Sequence, residues 1–285
     1  MGLAAPFLLL ASVVAPTSGA AATRISATEP CGIAATANYR HVVWIMEENV
    51  GYSVVGSSGA PYFNQLAGEC GLATNYYAIS HPSLPNYIAL TSGSTQGITD
   101  DGEPSQHPLS VPSLFSQLGS DWRVLAESMP GPCDHVTSDD YAARHNPAVY
   151  YTTIAASCQR NDVALTLPLD LSAAFTMIVP NICDDMHSCS ETVGDAWLHR
   201  IVPLILTSPE YESGSLVLFV TFDENDYMAS NQVPTLVVAP TTPKGDRVAD
   251  RYTHYSLLRT TETLLHLAPL GGATTAASMI APFHL

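Results

Sequence analysis

Six stretches of the chain are apolar and rich in β-branched residues: 41–46, 73–79, 123–126, 175–179, 215–222 and 234–239. Several are apolar throughout and do not alternate with polar residues, which predicts strands covered on both faces. Between them, apolar positions recur at helical spacing over 191–206, and shorter helical patterns occupy 60–69, 111–118 and 256–267. Strands alternating with helices predict an α/β fold, a three-layer α/β/α sandwich around a mostly parallel central sheet. Two segments, about 100–112 and 129–170, are rich in Pro, Ser, Asp and His without a sustained period, and read as loops over the sheet.

Ligands of open parallel sheets bind beyond the carboxyl ends of the strands, so the residues following each predicted strand matter most. After 41–46 come Glu47, Glu48 and Asn49; after 175–179 come Asn181, Asp184, Asp185 and His187; after 215–222 come Asp223, Glu224, Asn225 and Asp226. Any one such cluster could simply cap the helix that follows it. Three at one sheet edge would repel one another unless a cation or a shared proton compensates. Oxygen donors accompanied by histidine suit a divalent ion such as Zn, Mn, Mg or Ca.

A second constellation is His81-Pro-Ser-Leu-Pro-Asn-Tyr87. A serine framed by two prolines sits on a stiff, extended or turning backbone that fixes the direction of its hydroxyl. Such a hydroxyl becomes a nucleophile only with a base or a metal beside it. No GxSxG elbow surrounds Ser83, which argues against acyl transfer.

Charge and cysteine content narrow the picture. Ten basic residues face 26 acidic ones, a formal charge of −16, so a nucleic-acid partner would be repelled. A small anionic substrate meets the same field unless a bound cation reverses it locally. The six cysteines, Cys31, Cys70, Cys133, Cys158, Cys183 and Cys189, contain no CxxC pair and form an even set, favouring disulfides over metal thiolates. Their connectivity stays open; sequential pairing would staple each third of the chain locally. Residues 1–22 read as a cleavable export signal, although no Lys or Arg precedes the apolar run. One domain over 23–285 and an extracellular location follow. No later stretch approaches the roughly 18 apolar residues that would anchor the chain in a bilayer.

In seven ordered blocks the sequence resembles the bacterial phosphoesterase family that includes secreted acid phosphatases, phosphatidylinositol-3-phosphate phosphatases and phospholipase C enzymes. The blocks are HVVWIMEENVGY, GAPY, HPSLPNYIALTSGSTQGITDD, YAARHNPAVYY, PNICDDMHSCSETVGDAWL, VTFDEND and HYSLLRTTE. The segment around Ser83 is also similar to nucleotide pyrophosphatases, which share the wider alkaline-phosphatase-like fold. The resemblance implies that Glu48, Asn49, Asp223 and Glu224 hold a divalent metal and that Ser83 is the nucleophile. It implies that His187 meets the phosphate or protonates the leaving group and that His145 acts beside it. Asn86, Arg144 and His254 would contact substrate, with Arg259 a further cation at hand. The chain departs from the family pattern at MEEN, where MEN is common, and at Thr253-His254, where Asp-His is common. The short chain and its blocks favour a phosphomonoesterase acting on a small phosphate ester or a phosphoinositide. Lipid phosphodiester cleavage is the alternative, and an exported, non-catalytic binding protein is the bland reading.

Overall fold

The computed structural model describes residues 1–3, 29–227 and 230–285; nearly all of the expected leader, 1–22, lies outside them. Nine strands form one sheet: β1 (His41–Glu47), β2 (Gly71–Tyr77), β3 (Trp122–Ala126), β4 (Asp162–Ala164), β5 (Phe175–Val179), β6 (Leu216–Phe222), β7 (Gln232–Val238), β8 (Arg247–Val248) and β9 (Tyr252–Thr253). The helices are α1 (Pro61–Glu69), α2 (Ser83–Ser92), α3 (Leu114–Leu118), α4 (Ala155–Asn161), α5 (Glu191–Leu206), α6 (Pro209–Glu212) and α7 (His254–Leu264). The sheet runs β4-β3-β5-β1-β6-β7-β2-β8, with β9 also pairing β2. Only β7 is antiparallel to its neighbours, so the carboxyl ends of β1, β2, β5, β6 and β9 all open on one rim.

Register and side-chain contacts place the helices on both faces. Trp44 is fully buried and donates from its indole N–H to Thr261 of α7 at 3.1 Å. Three residues on, the β1 side chain points to the opposite face, where Glu47 pairs in register with Phe222 of β6. Phe222 meets Phe63 of α1 there, with ring centroids 5.9 Å apart. Helices α1 and α5 pack together on that side, while α2 packs with α7 on the other. The three-layer α/β/α expectation holds. Strands β1, β5 and β6 are buried almost throughout, which is why their sequence shows no alternation.

Differences from the sequence reading lie where periodicity is short. The supposed loop 129–170 contains α4 and the edge strand β4, elements of seven and three residues that leave little pattern to read. Of the extended or turning backbone expected for Ser83, the structure shows the turning form, as the first residue of α2 with Pro82 as N-cap. Two prolines at a helix start are compatible because first-turn N–H groups have no intrahelical acceptor to lose. Three disulfides join Cys31–Cys70, Cys133–Cys158 and Cys183–Cys189. No helix among the described residues is long and apolar enough to cross a membrane.

Candidate active site

The acidic side chains of the rim and Asn49 are delivered by turns that end strands. Asn49, just beyond β1, takes a left-handed backbone (φ 47°), which asparagine tolerates better than most residues. Its backbone N–H donates to Asp223 Oδ1 at 3.3 Å, tying the β1 and β6 ends together. The turn after β5 is closed by the Cys183–Cys189 disulfide and by Asn181 Oδ1, which accepts from the N–H groups of Cys183 and Asp184 at 3.0 Å. Inside this clip lies Asp185, whose carbonyl accepts from the Glu48 N–H at 2.7 Å.

Helix α2 presents Ser83 and, one turn later, Tyr87 on the same face. Both donate to Glu48: the Ser83 hydroxyl to Oε2 at 3.0 Å, the Tyr87 phenol to Oε1. Asn86 spends its whole amide on the loop that leads into the helix. Its Oδ1 accepts from Ile79 and Ser80 N–H, and its Nδ2 donates to the carbonyls of Ser80 and Pro82. It therefore fixes the Ser83 turn, and the expected substrate contact through Asn86 is corrected to a positioning role. The Leu84 N–H, another first-turn donor of α2, is met by Asp101 Oδ1 at 3.0 Å.

Four carboxylates, Glu48, Asp185, Asp223 and Glu224, come together at no more than 1% exposure each. Burial first, then mutual repulsion, pushes Glu48 and Asp185 well above the carboxylate range. Burial likewise drives Asp223 up to about 6, and burial with the Asp223 charge drives Glu224 up to about 9. His145 is 1% exposed and lies between two of them, Nδ1 3.2 Å from Asp185 Oδ2 and Nε2 3.4 Å from Glu48 Oε2. Its ring also stacks on Tyr87 at 5.5 Å. His81 Nδ1 is 2.5 Å from Glu224 Oε2.

This donor set fits a divalent cation. Buried polar atoms without a hydrogen-bond partner include Asn49 Oδ1, Asp223 Oδ2 and His145 Nε2, all at the rim. Ligand atoms of Glu48, His145 and Asp185 lie within 4.8 Å of one another. A second group at that spacing, Cys133, Cys158 and Asp162, is unsuitable because both sulfurs are spent in a disulfide. Concentrated negative charge with idle lone pairs is the arrangement a hard or borderline cation neutralises.

Arg144 and His187 stand at the solvent edge, with Arg144 Nη2 3.3 Å from His187 Nε2 and Arg144 Nε 3.9 Å from Asp101. His254 does not reach substrate space. It is fully buried, with Nε2 2.6 Å from the Asp223 carbonyl and Nδ1 3.1 Å from the Tyr76 hydroxyl. Its ring, held down to about 4 by burial, braces the turn that carries Asp223. Arg259 is likewise elsewhere, facing the carbonyls of Ala273 and Thr274. Sequence reasoning left Asp185 without a role and passed over Tyr87, His81 and Asp101. The i, i+4 spacing of Ser83 and Tyr87 was a usable signal, whereas the meeting of His81 and Glu224 is a long-range contact with none.

The loop bearing His145 is anchored by its neighbour. Asn146 Nδ2 lies 2.9 Å from both oxygens of the fully buried Asp162. Burial pushes Asp162 up to about 8, so the folded protein keeps a proton there that the unfolded chain releases near pH 4. Stability from this group therefore falls as pH rises from about 4 to about 8 and is level above. Asp162→Asn removes that titration: urea unfolding should show a smaller loss of stability between pH 5 and pH 8 than in the wild type. Equal losses in the two proteins would contradict the assignment.

The sequence profile of the phosphoesterase family matches residues 53–268, a span that includes Ser83, His145, Asp185, Asp223 and Glu224. The chain is 32% identical to a phosphatidylinositol-3-phosphatase of Mycobacterium tuberculosis, across 90% of this chain and 87% of that protein. It is 30% identical to a phosphate-repressible acid phosphatase of Penicillium chrysogenum, across 76% of this chain but only 57% of the fungal protein. A solved structure in the alkaline phosphatase superfamily, from Vibrio parahaemolyticus, superposes with a TM-score of 0.58 at 12% identity, covering 90% of this chain and 76% of that one. That likeness concerns the fold alone and agrees with the alkaline-phosphatase-like architecture. Profile and sequence identity both extend over most of the chain, which belongs to the phosphoesterase family.

Proposed function

We propose that the protein is an exported, cation-assisted phosphomonoesterase that works through a phosphoserine at Ser83. The observation that carries this reading is the Ser83 hydroxyl at the N-terminus of α2, bonded to Glu48 within four buried carboxylates. The N-terminus of α2 offers positive potential to an incoming phosphate, although the Leu84 N–H is already met by Asp101 and Pro85 has none. The relatives support the choice of reaction, since one is named for hydrolysing a phosphoinositide monoester and another as an acid phosphatase. Three disulfides support an oxidising, extracellular location.

Glu48, Asp185, Asp223, Glu224, Asn49 and His145 are the residues that would hold the cation. When bound, it supplies Lewis acidity and offsets the negative charge that would otherwise repel a phosphate ester. In the first displacement, Ser83 Oγ attacks phosphorus, the bond to the alcohol oxygen breaks, and Glu48 takes up the serine proton. Arg144 binds phosphoryl oxygens and His187 gives the departing alkoxide a proton. In the second, a water gives a proton to His187 as it attacks the phosphoserine, the P–Oγ bond breaks, Glu48 returns its proton to Ser83 Oγ, and inorganic phosphate leaves.

The test is phosphate release from p-nitrophenyl phosphate across pH 4 to 9, with and without a chelator. Release that the chelator stops and a returned divalent cation restores is expected. Diacylglycerol formed from phosphatidylcholine, without release from any monoester, would replace this reading with a phosphodiesterase.

A further inference from the structure

One aromatic ring at the rim is used by nothing described above. Tyr227 follows the β6 turn that carries Asp223 and Glu224, and it is 64% exposed. Every other described Phe, Tyr and Trp is buried or partly buried, so this exposure is singular among the described residues. The ring is not free to swing. It stacks on His81 with centroids 4.0 Å apart and planes at 22°. His81 is in turn held by Glu224 at 2.5 Å and lies two residues before Ser83. The Tyr227 backbone adopts φ 64°, a left-handed conformation costly for a residue with a Cβ, and its N–H donates to Asn225 Oδ1 at 2.9 Å. Burial, with the charges of Glu224, Asp101 and Asp223, raises the pKa of its phenol.

A flat, largely exposed ring held on one face by the histidine that enters the nucleophile's turn is a stacking surface for whatever leaves the phosphorus. We propose that Tyr227, backed by His81, binds the alcohol portion of the substrate and favours phosphate esters whose leaving group is an aromatic ring. This rests on the phosphomonoesterase reading and adds a leaving-group preference to it. The bland reading is that Tyr227 only shields His81 from solvent.

Phosphonates separate these readings because they bind without turning over. Calorimetric titration of the cation-loaded protein with phenylphosphonate and with methylphosphonate should show a preference for the phenyl compound of about tenfold, the scale of one aromatic stack. Tyr227→Ala should abolish the preference by weakening phenylphosphonate alone, and Tyr227→Phe, which keeps the ring, should retain it. Equal or absent binding of the two compounds by the wild type would overturn the proposal. So would a preference that survives Tyr227→Ala, or an equal loss of both compounds in that variant. The two ideas also fail separately: a phenyl preference without phosphate release from any monoester sinks the phosphomonoesterase reading alone, and release without the preference sinks this one alone.

Discussion

Ser83→Ala should lower phosphate release from p-nitrophenyl phosphate by roughly four to six orders of magnitude, the scale on which an enzyme loses turnover when its nucleophile is removed. The fold should survive. Ser83 is 2% exposed, and the oxygen removed donates to Glu48, a hydrogen bond worth about 1 kcal/mol, and also faces the carboxylates of Asp223 and Glu224. Glu48 keeps the Tyr87 phenol as a partner, and the turn is held by Asn86, which the substitution does not touch. The variant should therefore melt close to the wild type and still take up its cation. Acid quenching during turnover of a labelled monoester should trap label on the wild type and none on the variant. If Ser83→Ala keeps activity within tenfold of the wild type, water attacks phosphorus directly and the phosphoserine step is wrong.

Asp223→Asn tests the cation rather than the nucleophile, and its signature reverses between the loaded and the stripped protein. The amide can still accept from the Asn49 N–H, as Asp223 Oδ1 does at 3.3 Å. What disappears is one negative charge and the idle Oδ2. With cation present, metal content measured by elemental analysis should fall below that of the wild type, and turnover should drop by at least about 100-fold, the upper range for disturbing the outer shell of a metal site. Added cation should raise the melting temperature of the wild type, by the equivalent of about 2.7 kcal/mol at 100-fold excess over Kd, and raise the variant far less. In chelator, removing one of four crowded carboxylates relieves repulsion, so the variant should melt no lower than the wild type. Unchanged metal content with full activity would remove Asp223 from the site.

The rim was legible because it is a local feature repeated. Glu48, Asn49, Asp223 and Glu224 each follow an uninterrupted apolar run, and in a parallel sheet the ends of such runs must lie together. Ser83 stood out through its prolines, yet the helix it begins was missed, because two prolines in one turn read as a break when their N–H groups are not counted. Asn86, His254 and Arg259 were expected at the substrate for their polar or charged chemistry. Nothing in their spacing tells whether an amide or imidazole will be spent on its own backbone, and the first two were. Asp185 and His145 are separated by 40 residues, and only folding sets them 3.2 Å apart.

The sequence by itself determined the α/β class, the strand ends that carry acid groups and the family, because these depend on local patterns of burial and on ordered motifs. Tertiary structure alone decided which polar atoms are satisfied within the protein and which remain idle. That distinction moved Asn86 and His254 from substrate contacts to supports, brought His145 and Asp185 in among the acids, and set an exposed Tyr227 over His81. The physical reason is that a buried donor or acceptor must find a partner, and the partner is chosen by proximity across the fold rather than along the chain.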